Sequence, residues 1–159
     1  MAKVLIVYDT RSGHTETMAL AVAKGAEKAG AEVTVKKADQ TKPEDMLEAD
    51  GIIIGSPVYF GTMTTKLKQL VDDSVKVFHK LEGKVGGAFA SSGGLASGGE
   101  TTIMSIIEAM LIHGMIVQGK SEGMHYGVSV KGEPNPEDLT ECETLGNRVA
   151  TLALKLFSA

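Results

Sequence analysis

The chain reads as an α/β protein: a doubly wound, five-stranded parallel sheet with helices on both faces. Three observations predict this. Short apolar runs alternate with amphipathic stretches from end to end. The central runs are apolar at successive positions rather than at alternate ones, as strands buried on both faces are. The residues least suited to a core gather in the loops after strands 1, 3 and 4, at the carboxyl ends where such sheets bind ligands.

Each element follows in order. Residues 3–8 (Lys3-Val4-Leu5-Ile6-Val7-Tyr8) form the first strand. Residues 15–29 form a helix with Met18, Val22, Ala26 and Ala29 on one side and Gly30 as its stop. Ala31 to Lys37 alternates apolar and polar residues like an edge strand. Pro43 to Asp50 makes a short helical connection to Gly51-Ile52-Ile53-Ile54-Gly55, a central strand. Residues 64–79 form a helix with Leu67, Leu70, Val71, Val75 and Phe78 inward. Lys84 to Ser91 is the fourth strand, and residues 100–113 the next helix, its apolar face built from Ile103, Ile106, Ile107, Met110 and Leu111. Met115 to Gln118 is the fifth strand. Asn135 caps a last helix with Pro136 at its first position, running to Phe157 through Leu139, Cys142, Leu145, Val149, Leu152 and Leu156.

The turn Thr10-Arg11-Ser12-Gly13-His14-Thr15 joins the first strand to the first helix. Three hydroxyls, a glycine and the unpaired N–H groups of a helix start make a cradle for a phosphate. Without a lysine, such a cradle holds a monoester in place and leaves its bond intact. The competing reading is an ordinary helix cap. The turn lacks the spacing of a nucleotide P-loop or of a dinucleotide site. Its one carboxylate, Asp9, is too few for a metal-dependent phosphoacceptor, and it has no cysteine for a thiol phosphatase. No metal site is expected.

Two further loops complete the candidate site. Pro57-Val58-Tyr59-Phe60-Gly61 places two aromatic residues together in a chain whose aromatic content is only 4%. Such faces can lie against a flat ring system while Gly61 lets the backbone approach. Ser91-Ser92-Gly93-Gly94-Leu95-Ala96-Ser97-Gly98 is longer than the usual strand-to-helix connection and suits a loop that hugs a ligand. His113 closes the helix before strand 5, where it interacts favourably with the dipole or touches a substrate. His79, beside Lys80 at a helix end, reads as solvated.

At 159 residues the chain is one domain, with 43% hydrophobic and 23% charged residues. A formal charge of −4 and no basic cluster argue against nucleic acid, and the charge is mild for an electron carrier that docks through carboxylates. The single cysteine, Cys142, allows no internal disulfide, reads as a packed thiol and fits a reducing cytosol. No apolar run has the length of a membrane span and no export signal is evident, so a cytoplasmic protein is expected.

Three stretches carry a family resemblance: Gly13-His14-Thr15-Glu16-Thr17-Met18; Pro57-Val58-Tyr59-Phe60-Gly61-Thr62-Met63; and His113-Gly114-Met115 followed by Tyr126-Gly127. The chain resembles the flavodoxin-like proteins of the tryptophan-repressor-binding-protein type, the multimeric NAD(P)H:quinone oxidoreductases. The resemblance implies strand order 2-1-3-4-5 and an FMN cofactor, with its phosphate on residues 10–15 and its ring between loops 57–61 and 91–98. It implies His113 at the ring edge or the substrate, from a neighbouring subunit of a homo-oligomer. The implied reaction takes hydride from NADH or NADPH and passes it to a quinone-like acceptor by a ping-pong route. The alternative is a flavodoxin-like carrier of single electrons to a redox partner. Three departures stand out: a segment missing around residues 72–84, Tyr59 where the family carries arginine, and a compressed stretch at 119–127.

Overall fold

The computed structural model describes residues 1–158. The elements are β1 (Lys3–Tyr8), α1 (His14–Lys28), β2 (Glu32–Lys37), β3 (Gly51–Pro57), α2 (Thr65–Asp73), β4 (Val85–Ser92), α3 (Gly99–Ile112), β5 (Ile116–Val117), β6 (Val128–Lys131) and α4 (Pro136–Phe157). All pairings are parallel, in the order β2-β1-β3-β4-β5, and β6 also pairs with β4. The expected order is therefore present, with α1 and α4 packed on one face and α2 and α3 on the other. β3 is buried along its whole length, as its unbroken apolar run requires.

The fifth strand position departs from expectation. The run at 115–118 contributes only Ile116 and Val117, which pair with Val85 and Gly86. The position is completed by β6, which pairs Val128 to Lys131 with Phe89 to Ser92. Residues 118–127 loop out between the two halves, so one strand position is served by two short strands.

The second helix also ends early. α2 stops at Asp73, and a 3-10 turn follows at Ser74–Val77. Three residues per turn instead of 3.6 rotates the apolar face. Ser74 and Val77 are buried, while Val75 and Phe78, expected inward, are exposed. Leu111 and Leu156 are exposed as well. With Ile112 and Ile116, residues Val75, Phe78 and Leu111 leave apolar side chains open toward the amino edge of the sheet.

Helices α1 and α4 approach until their backbones touch, through two glycines that periodicity alone does not mark. A Cβ at Gly25 would drive into the Glu143 carbonyl, and one at Gly146 into the Val22 carbonyl. Across the exposed side of this contact, Lys24 and Lys28 both reach Glu143, at 2.8 and 2.6 Å. The two lysines hold its carboxyl below the usual range. Cys142 is fully buried on the same helix, and burial, then Asp138 and Glu141, push its thiol up to about 12. It is a packing group, not a nucleophile.

Candidate functional site

Because every strand is parallel, the ends of β1, β3, β4 and β6 lie on one edge of the sheet, and the loops that follow them meet there. The turn after β1 has Gly13 in the left-handed region at φ 94, where it caps α1. Its N–H is taken by the Thr10 hydroxyl at 3.0 Å. The first intrahelical bond belongs to Thr17, whose N–H donates to the Gly13 carbonyl. The N–H groups of His14, Thr15 and Glu16 thus precede the helical ladder, as a helix start leaves them. Thr15 turns inward. It is 1% exposed, and its hydroxyl shares a 2.7 Å hydrogen bond with that of Ser91 at the end of β4. This buried bridge ties the first loop to the third.

Below the turn, the Tyr8 hydroxyl donates to the Glu16 carboxylate at 2.6 Å. Burial first, and then that carboxylate, push Tyr8 up to about 12, so it remains the donor throughout the physiological range. The bond pins Glu16, an acid in the first turn of the helix that would hold the phosphate.

The loop after β3 is a tight hairpin. Tyr59 and Thr62 exchange both backbone hydrogen bonds at 3.1 Å, around Phe60 at φ 50 and Gly61 at φ 77. Positive φ at both central residues is the signature of a type I′ turn, which favours Asn-Gly. Here phenylalanine holds the first position, and its side chain is wholly exposed. A left-handed non-glycine residue costs about 1 kcal/mol, with no packing in the chain to offset it. Phe60→Asn is therefore expected to raise the melting temperature by roughly 2–4 °C, read by differential scanning calorimetry. A lower value would mean that Phe60 stabilises the fold through contacts.

The three loops touch. The Arg11 guanidinium lies over the Tyr59 ring, 4.9 Å from its centroid, a cation–π contact joining the first loop to the second. The Val58 N–H donates to the Ser91 carbonyl at 2.8 Å, extending the sheet beyond Pro57. Gly98, at φ 109, sits against the second loop so closely that a Cβ would stand 2.8 Å from Gly61 Cα and 3.1 Å from Val58 Cγ1. Within the third loop, the Ser92 and Ser97 hydroxyls both donate to the Gly94 carbonyl, at 2.9 and 2.7 Å. Leu95 is exposed at its tip, and Ala96 beside it is left-handed at φ 51. The residues fit a phosphate monoester carrying a planar ring: unpaired helix-start N–H groups and open space at Gly13, a positive Arg11, exposed aromatic faces, and no acid in residues 91–98.

His113 is not brought to these loops. It follows the last residue of α3, a helix of 14 residues that starts at the carboxyl edge and runs back about 20 Å to the amino edge. There Gly114 accepts from Gly83, just before β4 begins. A contact between His113 and a ring held in its own chain is ruled out by that reversal. Its Nε2 lies 2.7 Å from the Ser74 hydroxyl, which itself donates to the Val71 carbonyl. With the serine proton so committed, Nε2 must be the donor, and Nδ1 is left buried without a partner among the described residues.

Met46, Ile52, Leu81 and Met110 line a small cavity with His113, and burial lowers the imidazole below its ordinary value of 6.5. The neutral form is favoured in the native state, so this contribution to stability is present above about pH 6.5 and is lost as the pH falls through the depressed native value. The urea midpoint is expected to fall on acidification from pH 7.5 to 5.5, and to fall less in His113→Gln. Equal pH dependence in both proteins would assign the effect to other groups.

A cavity of about 560 Å³ lies on the other side of the third loop, between residues 92–101 and the segment 123–127. The sequence did not single it out. Its signal was the alternation Val128-Ser129-Val130-Lys131, which builds β6 and sets Lys131 at the carboxyl edge opposite Ser92.

A family model described as NADPH-dependent FMN reductase matches residues 40–125, a span containing the second and third loops. The chain is 42% identical to a protein named flavodoxin from Aquifex aeolicus, over 94% of this chain and 86% of that one. It is 34% identical to an NAD(P)H dehydrogenase (quinone) from Archaeoglobus fulgidus, over 98% of this chain and all of that one, in an alignment of 190 residues. Among solved structures, a WrbA-like flavodoxin from Agrobacterium tumefaciens superposes with a TM-score of 0.86 at 28% identity, covering 98% of this chain and 99% of that one. No helix among the described residues is long and apolar enough to cross a membrane.

Proposed function

Because the chain belongs to the NADPH-dependent FMN reductase family, with relatives named NAD(P)H dehydrogenase (quinone), we propose that it is an FMN-dependent NAD(P)H oxidoreductase. It passes two electrons to quinones or similar small acceptors by a ping-pong route. The observation that carries this reading is the closure of three loops on one another at the carboxyl edge, through Arg11–Tyr59, Thr15–Ser91 and Gly61–Gly98.

Bound FMN supplies hydride transfer, and the chain positions it. Residues 10–15 hold the phosphate through helix-start N–H groups and through the Thr10 and Ser12 hydroxyls. Thr15 acts from beneath, since its hydroxyl is committed to Ser91. Pro57, Val58, Tyr59, Phe60 and Gly61 form one wall for the ring. Ser91, Ser92, Gly93, Gly94, Leu95, Ser97 and Gly98 form the other. Residues 91–98 bring no carboxylate to that wall, which favours a reduced, anionic cofactor. In the ping-pong route nicotinamide and acceptor use the same exposed ring face in turn.

A homo-oligomer in the cytoplasm completes the reading. The exposed Val75, Phe78, Leu111, Ile112 and Ile116 supply an apolar surface for it, and only there could His113 meet a neighbouring subunit's site. Light scattering that returns a monomer would remove that role for His113.

Anaerobic titration of the FMN-loaded protein with NADH, then NADPH, tests the central reading. Direct bleaching of the visible flavin band is expected, followed by reoxidation on adding a quinone. No response to either nucleotide, with a long-wavelength band growing under a chemical reductant, would make the protein a one-electron carrier, as the similarity to the Aquifex flavodoxin allows.

A further inference from the structure

The 560 Å³ cavity beside loop 91–98 has a volume typical of small-ligand sites, and no residue of the first two loops lines it. Its lining combines apolar surface from Leu95 and Met124, rings from His125 and Tyr126, the carboxylate of Glu100 and the ammonium of Lys131. A flat ring carrying hydroxyls and an anionic group fits that mixture.

The wall at 123–127 is built rather than loose. Gly127, at φ 154, presses on β4 where a Cβ would enter the Ala88 carbonyl, so the segment lies flat and leaves Tyr126 54% exposed. The Lys120 N–H donates to the His125 carbonyl at 3.1 Å, and His125 Nδ1 returns to the Lys120 carbonyl at 2.8 Å. Lys120 is anchored in turn to Glu141 on α4, at 2.7 Å. Lys131 ends β6 on the ligand edge and makes no ion pair among the described residues.

We propose that this cavity takes the adenosine diphosphate half of the NAD(P)H donor. Tyr126 stacks on the adenine, Lys131 meets the pyrophosphate, and Glu100 accepts from a ribose hydroxyl, as an acid does in other dinucleotide sites. The proposal rests on the oxidoreductase reading, which brings the donor to this edge of the sheet. The nicotinamide end must reach the ring walls, and loop 91–98 is shared by those walls and this cavity.

ADP-ribose, which lacks the reactive nicotinamide, is the probe. Isothermal titration of the FMN-loaded protein is expected to show saturable binding at one site per chain. Lys131→Gln and Tyr126→Ala should each weaken it by about tenfold or more. The same variants should raise the KM for the donor by a larger factor than they lower kcat, while FMN affinity does not follow. A parent that is reduced by NADH or NADPH yet shows no saturable ADP-ribose binding overturns the assignment. So do variants that bind ADP-ribose like the parent. A parent that binds ADP-ribose but is reduced by neither nucleotide overturns the oxidoreductase reading and leaves the cavity a nucleotide site.

Discussion

Gly98→Ala is expected to bind FMN on the order of 30-fold more weakly than the parent, measured by quenching of flavin fluorescence on titration with apoprotein. Two effects act together at that residue. Its φ of 109 is closed to an ordinary side chain, and its new methyl would stand 2.8 Å from Gly61 Cα, a backbone atom that cannot rotate aside. The strain of about 2 kcal/mol is relieved when the second and third loops separate. Ligand binding must then supply that free energy to bring the walls back, and 1.4 kcal/mol corresponds to a factor of ten. Ala96→Gly is the matched control, since it frees the same loop at a left-handed residue without touching the Gly61–Gly98 contact. It is expected to match the parent. Equal losses in both variants would mean that general loop flexibility, not the Gly61–Gly98 contact, sets the affinity.

Gly146→Leu is expected to cost the fold more than about 3 kcal/mol and to lower the urea midpoint by more than about 1 M. The residue lies inside α4, where glycine is itself unfavourable by about 1 kcal/mol relative to alanine, so an isolated helix would gain from the change. Here the Cβ would enter the Val22 carbonyl of α1, and Gly25 makes the reciprocal approach to Glu143. A larger side chain forces the two helices apart and opens the layer of Met18, Val22, Cys142 and Leu145 beneath them. Should Gly146→Leu not fold, Gly146→Ala provides a measurable intermediate. A variant as stable as the parent would show that α4 can slide along α1 without loss.

The alternation of strands and helices was legible because buried parallel strands are apolar on both faces, as Ile52, Ile53 and Ile54 are. The three loops were legible because their composition is unsuited to a core and each follows a strand. What periodicity missed depends on distance along the chain. Gly25 and Gly146 gain their meaning only from each other's helix. Val128 to Lys131 is a short strand whose partner, β4, lies some forty residues earlier. Val75 and Phe78 fall on a helical stripe that the 3-10 turn at Ser74–Val77 breaks. The place of His113 was legible in its position: a residue just before a strand lies at the amino edge, away from where these sheets bind ligands, so any contact it makes with a ring comes from a neighbouring subunit.

The divided fifth strand sets how the outer rank of the sheet breathes. A continuous strand would exchange its amide protons as one cooperative unit, whereas β5 and β6 are separate latches on β4, joined only through residues 118–127. The β6 latch carries Lys131 and has β4 as its single strand partner, so it can open by local unfolding while β1, β3 and β4 keep their ladder. In native-state hydrogen exchange, its amides would report a subglobal opening that shrinks when the adjoining cavity is filled. The rate at which that wall re-forms would then govern how quickly a bound molecule enters and leaves.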